Sequence, residues 1–336
     1  MSRTPSRARD VPAGADAGFA TVVRQDAKGV VVRLDVAPEG LPRDLWCSVR
    51  GRVHLGGPVS ATTTIAVGDR VRVHRVADDR GAVEEVLPRR SVLSRPEPDQ
   101  GRRRSRLLQQ VLAANVDRVV VVASAADPGF DPGLVDRVLV VAEWSRLDAL
   151  VVVNKLDLVP AEPPEVAVYR RMGYRVVGTS ATTGLGIDEL RAALTGAVSV
   201  ITGHSGVGKS SLLNAVEPGL GLAVGRLNEV TGRGRQTTTS AVLVPLAGGG
   251  ALVDTPGIRE FGLYNVPLRE VTWLFRDLRE VAPRCKFGDC LHRDEPGCAV
   301  AAAVATGELA PWRVDSYHRM LATMPDVPKW GIPGGR

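Results

Sequence analysis

Apolar and polar positions change rhythm twice along this chain of 336 residues. From about residue 18 to 95, short runs of β-branched residues alternate or cluster, and Gly, Pro and Asp punctuate them. Gly29-Val30-Val31-Val32-Arg33-Leu34 and Asp69-Arg70-Val71-Arg72-Val73 are examples. Roughly five strands in so short a stretch predict a small β-barrel. An OB-fold leads, and an SH3-like barrel would leave a similar signature.

From Asn115 the texture changes. Near-continuous apolar runs at 118–123, 149–153, 175–178 and 198–201 alternate with helix-like segments such as 134–144 and 188–194. Apolar strands separated by helices predict a parallel sheet covered on both faces, ending near Tyr264. Beyond it, 266–281 reads as helix, 297–307 is alanine-rich, and 312–324 has a further helical pattern. The expected fold class is multidomain α/β. A tail spans 1–17, an N-terminal barrel 18–95, an α/β domain 96–264 and a C-terminal helical domain 265–336. The polar stretch from Ser94 to Arg106 reads as a linker. Its run Arg102-Arg103-Arg104-Ser105-Arg106 is either a solvated face or an RNA-backbone contact.

Composition narrows the picture only in places. A hydrophobic fraction of 44% supplies ordinary cores. No run of about 18 apolar residues exists, so no membrane span is expected. The basic N-terminal tail lacks the apolar segment of a secretory signal and reads as disordered. A net charge of +6 and a pI near 9.4 lean toward a polyanionic partner without deciding it. Aromatic content of 4% leaves few base-stacking platforms. In the barrel Phe19 and Trp46 are the main candidates, and both are equally suited to a core. Recognition of any RNA would therefore go through phosphates and shape, and would weaken with salt.

The candidate chemistry lies in the α/β region. Gly203-His204-Ser205-Gly206-Val207-Gly208-Lys209-Ser210 fits GxxxxGKS, with strand before and helix after. Its backbone N–H groups can wrap phosphates, with Ser211 in the first helical turn. Lys209 should reach the β- and γ-phosphates, and the Ser210 hydroxyl should ligate Mg²⁺. This motif does not separate ATP from GTP. Asn154-Lys155-Leu156-Asp157 reads NKxD after a strand. A carboxylate at Asp157 can accept from both N1–H and the exocyclic amine of guanine, a pair that adenine lacks. Thr179-Ser180-Ala181 follows another strand, and Ser180 and Ala181 would bring a backbone N–H to the guanine carbonyl. NKxD precedes the phosphate loop by about fifty positions, whereas an ordinary GTPase has the reverse order. A circular permutation moves the chain ends and keeps the site.

Asp254-Thr255-Pro256-Gly257 is DxxG. Asp254 should hold Mg²⁺ through water, and the Gly257 N–H should sense the γ-phosphate. Ile258 follows, and its side chain cannot orient a water. Upstream lies Gly232-Arg233-Gly234-Arg235-Gln236-Thr237-Thr238-Thr239. One of the three threonines should cap Mg²⁺ and the γ-phosphate; Thr238 is favoured.

Four cysteines do not suggest a disulfide framework; three of them beside a histidine point to metal in a reducing cytosol. Cys285-x4-Cys290-x-His292-x5-Cys298 is a complete Cys₃His donor set, closed and tetrahedral, as expected for structural zinc. Cys47 reads as a small core residue.

Taken together, barrel, NKLD, TSA, GHSGVGKS, QTTT, DTPG and the cysteine–histidine signature resemble the ribosome small-subunit-dependent GTPase A family of bacteria. The resemblance runs from about Phe19 to Tyr317. It implies an OB-fold barrel and a cytoplasmic GTPase, with GTP or GDP and Mg²⁺ at the site. It also implies late maturation of the small ribosomal subunit, with contacts to its rRNA. GTP would favour the bound state; the subunit would stimulate hydrolysis, and hydrolysis would favour release. A monomer is the default. The family usually has His before the threonine run, and this chain has Gln236. Gln can position a water but cannot act as a base near neutral pH. Gln236 is thus expected to take part in catalysis with Lys209 and Thr238. Competing readings are a GTP-gated RNA-binding module with incidental hydrolysis and, with little support, a phosphate-loop kinase.

Overall fold

A computed structural model describes residues 17–26, 28–55, 65–96, 109–220, 241–254 and 266–324. The tail over 1–16, the run Arg102–Arg106, and Gln236, Thr237, Thr238, Thr239, Gly257 and Ile258 lie outside the described residues. The chain forms two compact units. One takes the described residues of Met1–Asp117, Arg191–Ile201 and Arg226–Ile258; the other those of Arg118–Leu190, Thr202–Gly225 and Arg259–Arg336.

The first unit contains the barrel. Its strands are β1 (Ala17–Asp26), β2 (Gly29–Leu34), β3 (Asp44–Leu55), β4 (Arg70–Ala77) and β5 (Arg80–Val86). They pair in the order β1-β2-β3-β5-β4, and β4 returns to β1. β3 and β5 run parallel, and the other pairs are antiparallel. This closed ring of five matches the OB-like alternative. In β2, Val30, Val32 and Leu34 point inward by the two-residue period. They meet Val22, Leu45, Val71 and Val83 in one apolar cluster. Cys47 lies in that cluster, as expected, and burial pushes its thiol up to about 12.

β6 (Val92–Pro96) and β7 (Gln109–Ala114) form an antiparallel pair. Ser94 to Pro96 therefore belong to a strand, where a polar linker was expected. The barrel is tied to this pair by buried polar groups. Asp69 accepts from the Ala66 N–H and, at 2.7 Å each, from Nε and Nη2 of Arg89. Asn115 donates to the Gly68 carbonyl and accepts from the Arg90 N–H. The same unit holds β11 (Val198–Thr202) parallel to β13 (Ala251–Asp254), with β12 (Val242–Pro245) antiparallel to β13.

In the second unit, β8 (Arg118–Ser124), β9 (Asp148–Asn154) and β10 (Arg175–Gly178) run parallel in the order β10-β9-β8. Val119–Val122 and Leu150–Val153 are fully buried, which is why these strands read as continuous apolar runs. Helices α1 (Pro132–Ser145), α2 (Glu165–Arg171) and α3 (Ile187–Leu194) follow the three strands, and α4 (Lys209–Val216) follows the phosphate loop. Asp131 caps α1 by accepting from the Gly133 and Leu134 N–H groups.

The C-terminal helices are α5 (Val271–Leu274), α6 (Arg276–Val281), α7 (Ala299–Ala305) and α8 (Pro311–Thr323). The helix expected over 266–281 is broken at Phe275, whose backbone is extended. Its ring is buried edge-on against Tyr317, with centroids 5.5 Å apart. Packing at that point outweighs helix continuity. Arg313 of α8 is buried and reaches Asp277 of α6 at 2.6 and 2.9 Å, and Asp136 of α1. Tyr169 donates to the same Asp136 carboxylate at 2.8 Å. Burial opposes the Arg313 charge, but Asp277 and Asp136 outweigh it and raise its pKa.

Candidate functional site

The phosphate loop, residues 203–208, bends through backbone that side chains would obstruct. Gly203 has φ +151, and a Cβ there would lie 2.2 Å from the Val122 carbonyl of β8. Gly208 has φ +92, and a Cβ there would lie 2.4 Å from Nδ2 of Asn154. Glycine is required at both for close approach. Val207 is buried and anchors the loop, while His204, Ser205 and Gly206 are exposed. Lys209 begins α4 and folds back over the loop, donating to the carbonyls of Gly203 and His204 at 2.7 Å each. Ser210 is buried in the first turn of α4, and Ser211 is half-buried.

Asn154, at the end of β9, is 2% exposed. Its Nδ2 donates to the Val207 carbonyl at 2.9 Å. Its Oδ1 accepts from the Ala181 N–H at 3.2 Å and from the Thr179 hydroxyl at 3.3 Å. One side chain therefore joins three of the motifs. Lys155 follows in left-handed backbone and donates to the Asp127 carbonyl. Asp157 lies exposed in the short turn Leu156–Leu158. Ser180 is buried, and its hydroxyl accepts from the Thr183 N–H at 3.1 Å, shaping the loop after β10.

Asp254 ends β13, and its side chain lies outside the described set, with Gly257, Gln236 and the threonines. The structure thus gathers the base and phosphate motifs, and the switch residues are not described. Two contacts were not foreseen. His204 Nε2 donates to Asp131 at 2.9 Å, and Lys155 meets Asp127. Asp131-Pro132 before an apolar helix was readable as a cap, but its partner is 73 positions away.

The candidate metal donors also come together. Atoms from Cys285, Cys290, His292 and Cys298 lie within 4.8 Å of one another. His292 Nδ1 stands 3.6 Å from the sulfurs of Cys285 and Cys298. A tetrahedral zinc with Zn–S near ~2.3 Å needs ligand edges of about 3.8 Å, so the set fits. Backbone N–H groups of Ala299 and Ala301 donate to the Cys285 and Cys298 sulfurs, as zinc thiolates require. Burial, and then the neighbouring cysteines, push the Cys290 thiol up to about 12. A cation must displace that proton to bind.

Among the described residues no helix is long and apolar enough to cross a membrane. Residues 86–264 match the family model described as RsgA GTPase. A small ribosomal subunit biogenesis GTPase RsgA of Pseudomonas aeruginosa strain LESB58 is 41% identical over 97% of this chain and 92% of its own length. One of the same name from Shewanella oneidensis is 39% identical over 78% of this chain and 75% of its own. Among solved structures, YjeQ from Thermotoga maritima superposes with a TM-score of 0.67 at 33% identity, covering 91% of this chain and 97% of that one. YloQ, described as a circularly permuted GTPase, gives a TM-score of 0.65 at 28% identity, covering 94% and 98%. Family match and relatives spanning most of both chains agree: this chain belongs to the RsgA GTPase family.

Proposed function

We propose that the chain hydrolyses GTP as a late-stage maturation factor of the small ribosomal subunit, with hydrolysis stimulated by the subunit and coupled to release. GTPase activity follows from the family, and the names of the curated relatives support the small subunit as partner. The observation that carries the reading is Asn154, which holds NKLD, the Thr179-Ser180-Ala181 loop and the phosphate loop together despite their rotated order.

In this reading Asn154 and Lys155 frame the base pocket, Asp157 accepts from guanine, and Ser180 and Ala181 line its carbonyl side. The Ala181 N–H is shared with Asn154, so that donor is already oriented. Residues 203–208 wrap the phosphates, with Ser211 behind them. Lys209, now on two loop carbonyls, turns toward the β- and γ-phosphates when they arrive. Ser210, Thr238 and Asp254, the last through water, would hold Mg²⁺, which neutralises charge on the phosphate oxygens. Gly257 senses the γ-phosphate, and Gln236 positions the attacking water in place of Ile258. The Cys₃His set is a structural zinc site. The partner surface is rRNA, and the protein is a cytoplasmic monomer.

Phosphate release from GTP and from ATP, each with and without purified small subunits, tests this. GTP-selective turnover raised by the subunit is expected, and Gln236→Ala should lower it. GTP binding without stimulated turnover would favour a GTP-gated RNA-binding module, the reading that Ile258 supports. Equal use of ATP would overturn the role of Asp157.

A further inference from the structure

Residues 127–131, between β8 and α1, belong to none of the nucleotide motifs, yet they touch NKLD at one point and the phosphate loop at two. The Asp127 carbonyl accepts from Lys155 of NKLD. Pro128 lies against Gly206, where a Cβ would stand 3.6 Å from its Cδ. Asp131 accepts from His204 Nε2 at 2.9 Å.

The last contact has a geometry that fixes the loop. One oxygen of Asp131 is held by the Gly133 and Leu134 N–H groups at the start of α1, at 2.9 and 3.3 Å. The other faces His204. The carboxylate therefore cannot swing without uncapping a helix of 14 residues. Burial alone would raise its pKa, but His204 and the helix N–H groups outweigh burial and keep it below the usual carboxylate range. An ionised carboxylate only accepts, so the imidazole must donate from Nε2. His204 is also the residue whose carbonyl receives Lys209 Nζ at 2.7 Å.

We propose that Asp131 is a positioning residue for nucleotide binding: acting through His204, it holds the phosphate loop in its binding shape before phosphates arrive. Preorganisation lowers the ordering cost of binding, so the effect falls on affinity for GTP and GDP alike. The proposal rests on the reading of this site as a guanine-nucleotide site.

The test is a double-mutant cycle on the full chain, measuring dissociation constants for GTP, GDP and ATP together with thermal unfolding. Asp131→Ser keeps a good helix cap and is too short to reach His204. His204→Ala removes the other partner. Each single variant should weaken GTP and GDP by about two- to fivefold, the range an exposed hydrogen-bonded charge supports, with the melting temperature of Asp131→Ser lowered by a few degrees at most. The double variant should be no weaker than either single one. Unchanged affinities, or losses that multiply in the double variant, would overturn the proposal. So would a loss in Asp131→Ser that tracks a fall in melting temperature. A parent protein that binds ATP as tightly as GTP, or binds neither, would overturn the guanine-site reading itself.

Discussion

The nucleotide site and the cysteine–histidine cluster are built by opposite routes. The four metal donors lie between Cys285 and Cys298, and local turns suffice to gather them. His292 takes left-handed backbone, and Cys298 caps α7 with its sulfur. The proposed nucleotide site instead joins groups that are 27, 53 and 73 positions apart, through Asn154 to Ala181, Asn154 to Val207 and Asp131 to His204. The cluster, in the zinc reading, relies on a cation to hold its sulfurs. The nucleotide site needs backbones that can approach one another. The two should therefore fail differently.

The largest effect is expected at the cluster. Cys290→Ser removes one donor of a closed set. Metal content should drop from one zinc per chain toward none, and the melting temperature should fall by on the order of 10 °C, because metal affinity there is folding free energy. Inductively coupled plasma analysis and a thermal melt read both. An unchanged melt with zinc lost would mean that the surrounding core, Phe275, Tyr317 and their neighbours, holds the segment unaided.

Arg313 is where the C-terminal helices clasp α1. Arg313→Met would leave Asp136 and Asp277 without their cation in a buried setting, at a cost of about 3–5 kcal/mol. Denaturant unfolding measures it. Metal content should stay near one per chain, since no donor is touched. If zinc is lost as well, the local and long-range constructions are not separable.

At the nucleotide site the expected loss is in affinity, with the fold retained. Gly208→Ala places a Cβ 2.4 Å from Asn154 Nδ2 in left-handed backbone. Strain of about 1–3 kcal/mol corresponds to roughly five- to 150-fold weaker GTP binding. Asn154→Ala leaves Val207 and Ala181 without their partner and should cost about tenfold. Zinc content should not change in either. Titration with a fluorescent guanine nucleotide reads the affinities.

The same contrast explains how much of the molecule is legible in its sequence. The cluster, the phosphate loop and NKLD are compact spacings, and each was assignable from residues close in the chain. The choice of an OB-like barrel was not, because it turns on β3 pairing parallel to β5 and on β4 closing against β1. The end of β6, Ser94 to Pro96, reads as part of a linker because its polar residues carry no apolar alternation. Phe275 fits a helical period, and only its burial against Tyr317 reveals the break. Asp131 belongs to no motif: one oxygen caps α1, and the second meets a histidine that no local pattern indicates.

The smallest effect is that of acid on Asp131. Its carboxyl is held below the ordinary value of 3.8: burial opposes this, and His204 with the α1 N–H groups outweighs it. A group depressed in the folded state stabilises the fold above its unfolded pKa. That contribution is lost as pH falls through the lower folded value. The pair is about half-exposed, so solvent screens it and the difference is small. Urea midpoints of the parent and Asp131→Asn should differ near pH 6 and converge as the pH falls well below 3.8. Acid will also protonate the metal donors, but it does so in both proteins, so the gap between them isolates Asp131. A gap that persists unchanged into acid would mean that Asp131 serves the fold as a helix cap, with no contribution from its charge.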